Sequence, residues 1–261
     1  MTPHVGFIEG EVVSRVDWTE RLFSLRIRVD GLSFIAGQFT KLGLYSISEN
    51  SGDEVFLRKA YSIVNAPQDY QQTGELEFLI IADPDGALSP NLHTLYPGDQ
   101  VMVGDQCAGF MTLDEVPDTA SQLWLIGTGT GIGPYLSMLQ TDTLSEQYSD
   151  IVLVHAVRYE QDLVYSALIE QLQQKFADQF HYVPIVSREE KPGRLSGRVP
   201  SFLEKRTLEL HLDMKLDMEK SFVFLCGNPA MVRESGLVLT QRGYHKHLRR
   251  RPGHYCSENY W

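Results

Sequence analysis

The sequence predicts two domains, an N-terminal antiparallel β-barrel over residues 1–119 and a C-terminal α/β domain with a parallel sheet over residues 120–261. Three observations carry this prediction. The first half holds short runs rich in Val, Ile, Phe and Tyr, broken by turn residues and without a long helical period. Beyond it, short apolar runs alternate with helical spacing. Between the halves, Glu115-Val116-Pro117-Asp118 reads as a linker, with the boundary near Asp118–Ser121. A chain of 261 residues suits two domains of ordinary size.

In the first half the strand candidates are Glu11–Arg15, Leu22–Val29, Gln38–Leu44, Ala60–Val64, Glu75–Ile81 and Gln100–Gly104. Leu22–Val29 alternates most plainly, with Leu25, Ile27 and Val29 on one face and Ser24, Arg26 and Arg28 on the other. One helical piece is expected over Leu88–Leu95, after the Asp85-Gly86 turn. In the second half Leu123–Ile126, Ile151–Val157, His181–Val186 and Phe222–Cys226 read as strands. Tyr165, Ile169, Leu172 and Phe176 recur at helical spacing within Asp162–Phe176, and a second helix starts at Pro229. This alternation predicts a parallel sheet with helices on both faces.

Composition narrows the function. Apolar residues make up 43% and charged residues 22%, the profile of a globular protein able to bury real cores. The three cysteines Cys107, Cys226 and Cys256 are dispersed, so neither a disulfide framework nor a zinc or iron–sulfur ligand set is expected. A reducing cytoplasm is the expected compartment. No apolar run approaches the ~20 residues that cross a bilayer, so no membrane association is expected. Met1–Gly10 does not have the pattern of a secretory signal. A net charge of −11 argues against nucleic acid as a partner. A monomer is expected.

The segment Leu123-Trp124-Leu125-Ile126 runs into Gly127-Thr128-Gly129-Thr130-Gly131-Ile132-Gly133-Pro134 and then a helical stretch. Glycines let a backbone approach an anion, and a helix start offers free N–H donors. Pro134 suits a first helical turn. The plainer reading is a tight strand–helix turn with no ligand. The spacing is not the usual G-x-G-x-x-G, and no Lys-Ser or Lys-Thr follows, so a phosphate or dinucleotide loop of another type is expected. Arg158 follows one strand, Arg188 follows another, and Arg198 stands in Leu195-Ser196-Gly197-Arg198. Ligands of open α/β sheets bind beyond the carboxyl ends of strands, and guanidinium groups grip phosphate through paired hydrogen bonds. Taken singly, each arginine reads as solvated loop. Together they favour a ligand with an extra phosphate, NADPH over NADH.

Four stretches and the C-terminus then carry a resemblance. They are Lys59-Ala60-Tyr61-Ser62, Gly86-Ala87-Leu88-Ser89, the loop Gly127–Pro134, Cys226-Gly227-Asn228-Pro229 with Met231-Val232, and Glu258-Asn259-Tyr260-Trp261. In this order, across the whole chain, they resemble the bacterial ferredoxin/flavodoxin–NADP reductase family. The resemblance implies an FAD-binding barrel, an NADP-binding α/β domain and a C-terminal tail that returns to the flavin. It implies that Tyr61 stacks on the flavin ring and Ser62 hydrogen-bonds near flavin N5, with Lys59 and Ala60 completing the motif. Ala87, Leu88 and Ser89 would hold the FAD pyrophosphate, and Thr130 would lie in the nucleotide loop near the flavin. Arg158, Arg188 and Arg198 match positions that bind NADP phosphates, with Gly227 and Asn228 also in the NADP site. Cys226 would sit where the nicotinamide docks, Glu258 would supply a nearby carboxylate, Tyr260 would cover the flavin and Trp261 would stack on adenine. Ser62, Cys226 and Glu258 are thus the catalytic candidates.

One position departs from the pattern. The family has Arg-x-Tyr-Ser or Arg-x-Tyr-Thr, and here Lys59 takes the arginine's place with Arg58 one step earlier. Adjacent strand residues face opposite ways, so Arg58 cannot take over, and a lysine is expected to neutralise the pyrophosphate less rigidly. Plainer readings stand beside these roles: Tyr61 as a cross-strand aromatic, Cys226 as an inert buried thiol, and the terminal Tyr260-Trp261 as a frayed end.

His245-Lys246-His247-Leu248-Arg249-Arg250-Arg251 is a dense basic run in an acidic chain. It reads either as a solvated helix end stopped by Pro252-Gly253, or as a surface (Lys246, Arg249, Arg250, Arg251) that steers an acidic protein partner. The resemblance names that partner as ferredoxin or flavodoxin, and the reaction as hydride transfer from NADPH to flavin N5 followed by single-electron steps. Two rivals remain: an NADPH-dependent reductase of small acceptors such as quinones or free flavin, and a non-catalytic NADP-sensing module.

Overall fold

The computed structural model of the chain describes residues 4–47, 52–190 and 194–259. Six strands build the first sheet: β1 (Phe7–Asp17), β2 (Leu22–Arg28), β3 (Phe39–Ile47), β4 (Glu54–Ser62), β5 (Glu75–Ile81) and β6 (Gln100–Gly104). They lie in the order β4-β3-β6-β1-β2-β5, antiparallel throughout. The sheet curls until its edges meet, where Ile63 bridges Phe78 and the Val64 N–H donates to the Glu77 carbonyl at 2.8 Å. Alternation explains the filling: Val12, Leu25, Ile27, Leu76, Phe78 and Val103 point into one apolar cluster. Helix α1 (Pro67–Thr73) and the single turn α2 (Ser89–Leu92) sit between strands.

The second sheet is parallel, with β7 (Gln122–Thr128), β8 (Asp150–Val157), β9 (Phe180–Val186), β10 (Leu195–Ser196), β11 (Ser221–Gly227) and β12 (Tyr255–Asn259) in the order β10-β9-β8-β7-β11-β12. Its helices are α3 (Gly133–Leu139), α4 (Leu144–Gln147), α5 (Ser166–Phe176), α6 (Val199–Glu204), α7 (Thr207–Leu212) and α8 (Pro229–Gln241). Both faces are covered. Leu136 of α3 and Ile169 and Leu172 of α5 pack on Leu123, Leu125 and Leu153, while Leu203 of α6 and Met231 and Leu239 of α8 pack on Trp124, Ile126 and Val154. Buried on two sides, the central strands read as unbroken apolar runs.

The predicted architecture is present; several boundaries differ. β4 begins at Glu54, not near Ala60, because this edge strand is half-buried or exposed along most of its length and shows no clear alternation. α2 is one turn rather than the stretch to Leu95, because the Arg15 guanidinium takes the His93 and Leu95 carbonyls at 2.6 and 2.9 Å. α5 starts at Ser166, not Asp162, since Tyr165 stands at its start with a left-handed φ of 62°. The basic run is not a helix end: α8 stops at Gln241 and residues 245–251 form a loop closed by a Leu248–Arg251 bridge. The polar-looking face of β2 is partly covered as well. Ser24 is buried beneath Trp18, whose indole N–H donates to it at 3.1 Å, and Trp18 lies 4.8 Å from the Tyr165 ring.

The two sheets meet along α3. The Ser137 hydroxyl donates to the Asn65 carbonyl at 2.8 Å and the Gln140 amide to the Val64 carbonyl at 3.0 Å. Tyr165 adds a second tie, its hydroxyl donating to Glu77 at 2.7 Å. The helix launched by the glycine loop is therefore docked on the barrel just past Tyr61-Ser62. Among the described residues no helix is long and apolar enough to cross a membrane, and no cluster of side chains could hold a metal ion.

Candidate functional site

The site is built around the turn that follows β7. Gly129–Ile132 makes one tight helical turn before α3. A Cβ on Gly131 would lie 2.7 Å from the Gly227 Cα and 2.8 Å from the Cys226 carbonyl carbon and oxygen, so only glycine permits this approach of two loops. Gly227 itself has a φ of 119°, a conformation side chains resist. The Asn228 N–H donates to the Thr128 hydroxyl at 2.9 Å, and the Asn228 carboxamide caps α8 by accepting from Ala230 and Met231. The loops after β7 and β11 are thereby stitched together where the strand order reverses, the place at which doubly wound sheets bind ligands.

A cavity of about 770 Å³ opens at this point. Thr130, Arg158, Arg188, Arg198 and Asn228 all line it, so the structure brings five of the predicted nucleotide residues into one cleft. The three arginines are exposed. Arg188 reaches the Tyr159 hydroxyl at 3.3 Å with its guanidinium 5.9 Å from that ring, and Arg198 pairs with Glu234 at 3.3 Å on the surface. Tyr159, which holds Arg188, is marked by no sequence motif. The opposite wall comes from the barrel, through Arg21, Leu22, Ile81 and Asp83, which no motif marked. A second cavity of about 650 Å³ lies between the linker, the barrel and the α3–α4 segment and is lined by none of the predicted site residues.

On the barrel side β4 ends at Tyr61 and Ser62. Ser62 is buried, and its Cβ lies 3.9 Å from where a Gly133 Cβ would be, so the start of α3 rests against it. Lys59 and Ala60 are exposed. The Tyr61 hydroxyl is enclosed yet has no hydrogen-bond partner among the described residues, and its burial pushes the phenol well above its usual range. Ala87 is exposed, Leu88 and Ser89 are buried, and the Ser89 hydroxyl braces the turn by accepting the Asp83 N–H at 3.1 Å.

Cys226 and Glu258 are register neighbours on β11 and β12, and Gly127 of β7 flanks Cys226 on its other side. Equivalent strand positions place all three on the face turned towards α3. The turn Gly131–Gly133 is thus held between Cys226-Gly227 on one side and Ser62 on the other. Cys226 has no exposed surface. Burial raises the Glu258 carboxyl from its ordinary value to about 7. Tyr260 and Trp261 lie outside the described residues.

Lys246, Arg249, Arg250 and Arg251 are exposed on the loop after α8. Arg249 lies 3.8 Å above the ring of Phe110, which is itself 46% exposed, and His247 binds Glu115 at 3.1 Å. The basic loop is therefore pinned against the linker and forms a cationic patch with an aromatic platform.

The residues present fit the two expected groups. Tyr61 carries a buried hydroxyl that a ligand oxygen would satisfy, and the cleft offers exposed guanidinium groups around a loop that only glycine can form.

Comparisons with known proteins point to one family. The family described as oxidoreductase NAD-binding domain matches residues 125–235. A flavodoxin/ferredoxin–NADP reductase of Shigella flexneri is 45% identical over 98% of this chain and 99% of its own. A ferredoxin–NADP reductase of Pseudomonas aeruginosa is 34% identical over 89% of this chain and 88% of its own. The crystal structure of a ferredoxin NADP+ reductase from Neisseria gonorrhoeae with bound FAD and NADP superposes with a TM-score of 0.87 at 30% identity, covering 98% of this chain and 99% of that one.

Proposed function

The chain belongs to the flavodoxin/ferredoxin–NADP reductase family, and from that premise we propose how its own residues do the work. It is an oxidoreductase that uses FAD and NADP(H) and moves electrons between NADPH and a ferredoxin or flavodoxin. FAD, when bound, would supply the redox chemistry, hydride acceptance together with one-electron release. The chain supplies position and electrostatics.

Tyr61 and Ser62 hold the flavin end of FAD, with Lys59 and the backbone of Ala60 beside them. Ala87, Leu88 and Ser89 would hold its pyrophosphate, and Trp261, outside the described residues, would stack on the adenine. Arg158, Arg188 and Arg198 hold the NADP phosphates, and Thr130, Gly227 and Asn228 shape the floor beneath the dinucleotide. Cys226 and Glu258 flank the place where the nicotinamide meets the flavin. Tyr260, outside the described residues, would cover the flavin. The domain border is proposed between residues 119 and 120. The observation that carries this reading is the arginine-lined cleft beside the glycine turn, because that turn starts the helix whose first residue lies next to Ser62. Near contact between hydride donor and acceptor is what such a turn can impose.

The purified protein is expected to be yellow, with a band near ~450 nm as flavin sites give. That band should bleach on titration with NADPH. Colourless protein that takes up no added FAD overturns the assignment.

We further propose that the acidic carrier docks on Lys246, Arg249, Arg250 and Arg251, that the protein works in the cytoplasm as a monomer, and that nucleic acid is not a partner. Replacing Arg249, Arg250 and Arg251 together with glutamate should lower kcat/KM for an acidic carrier about tenfold or more at low salt and flatten its salt dependence. Ferricyanide reduction should stay within about twofold. Equal losses with both acceptors would remove the docking role and favour small diffusible acceptors as substrates.

A further inference from the structure

Arg21 stands in the barrel, one residue before β2, yet it lines the same cleft as Arg158, Arg188 and Arg198. Its backbone is fixed by the end of the barrel ladder, where the Ala82 N–H donates to the Arg21 carbonyl at 2.8 Å. Its Nε donates to the Ala82 carbonyl, also at 2.8 Å. The guanidinium is thus anchored by one edge, and neither terminal nitrogen is engaged by a described residue. Asp83, the acid on the same wall, is tied into its own turn by accepting the Asp85 N–H. β5, which Ala82 directly follows, touches the Gly129–Ile132 turn, while Arg158 and Arg188 follow β8 and β9 on the far side of β7.

We propose that Arg21 reaches across the cleft from the barrel and binds the diphosphate of NADP. This rests on the reading that the cleft holds NADP. An NADP molecule carries a 2′-phosphate and a central diphosphate. The sheet-side arginines follow β8, β9 and β10, two or more strands out from β11, where an adenosine end lies, whereas a diphosphate in such folds lies over the glycine turn. Arg21 is the cation whose anchor sits beside that turn. A planar guanidinium fixed through Nε with both terminal nitrogens available is suited to paired contacts with a diphosphate. Since Arg21 belongs to one domain and the turn to the other, the contact also sets how NADP lies between them, and Arg21 acts as a positioning residue for hydride transfer.

The test is calorimetric titration of the FAD-loaded protein with NADP+ and with 2′-AMP, which has the 2′-phosphate and lacks the diphosphate. In Arg21→Gln the Kd for NADP+ should rise about tenfold while that for 2′-AMP stays within about twofold, as loss of one charged hydrogen-bonding group predicts. In Arg158→Gln both should weaken. Arg21→Lys keeps the charge without the anchored fork and should lose about threefold for NADP+. An unchanged NADP+ affinity in Arg21→Gln, or equal weakening of 2′-AMP, overturns the proposal while Arg158→Gln still loses both ligands. If Arg158→Gln also binds NADP+ like the parent protein, the cleft is not the NADP site and the prior reading falls instead. The flavin spectrum of each variant reports that it is folded and loaded.

Discussion

Gly131→Val should lower kcat/KM for NADPH by about 100-fold or more while leaving the barrel loaded with FAD. A Cβ at this position would stand 2.7 Å from the Gly227 Cα and 2.8 Å from the Cys226 carbonyl. Those are backbone atoms, so no side chain can swing aside; one loop has to move. β11 is buried along its whole length, and the Asn228 N–H binds Thr128, so the yielding element is the turn Gly129–Ile132. That turn carries Thr130 and starts α3, which rests on Ser62. A displacement on the order of 1 Å at a positioning element costs about two powers of ten in rate, because hydride transfer needs near contact. Overpacking of this kind also costs about 1–3 kcal/mol of stability. Flavin content and stopped-flow bleaching by NADPH separate the two effects. Parental bleaching rates in Gly131→Val would show that the turn does not position the nucleotide.

The glycine turn was legible because its constraint is local: close backbone approach excludes side chains, and glycine is written in the sequence. The change of rhythm after Pro117 was legible for a similar reason, since two-sided burial leaves continuous apolar runs such as Leu123–Ile126. What escaped was set by tertiary context. β12 carries Ser257, Glu258 and Asn259, which reads as a polar tail, and becomes a strand only because β11 offers an open parallel edge. Two-residue β10 is too short for any periodicity. Tyr165 fits the apolar spacing of α5 but is pulled out of the helix by Trp18 and by Glu77 from the barrel. Arg21 looked like a charged residue before a strand, and only folding the barrel against the sheet puts it in the cleft. Of the proposed catalytic set, Cys226 and Glu258 lie 32 positions apart in number, and the β11–β12 register makes them neighbours. Motif order could name them; it could not place them side by side.

That register has a further consequence at Glu258. Glu258→Gln should lower NADPH turnover and, at alkaline pH, raise stability. Burial raises this carboxyl to about 7 from the ordinary 4.5. The folded chain therefore holds the proton more tightly than the unfolded chain does. Stability from this source is complete below about pH 4.5 and falls as the pH climbs through about 7, where the folded protein has to carry a half-buried charge. Glutamine has the same shape and no charge to bury. At pH 8 the variant should melt a few degrees higher, about 3 °C for each kcal/mol gained in a chain of this size, and at pH 4.5 the two proteins should melt alike. A strand position that holds a costly carboxylate beside Cys226 and the glycine turn is what a functional requirement would maintain. Turnover in Glu258→Gln should fall about 10- to 100-fold, and an inflection near pH 7 in the parent kcat profile should vanish. Melting curves at the two pH values decide the electrostatic half of this expectation, and the kcat profiles decide the catalytic half. A variant that melts like the parent at both pH values and turns over at the parental rate would leave Glu258 as an ordinary surface residue of an edge strand.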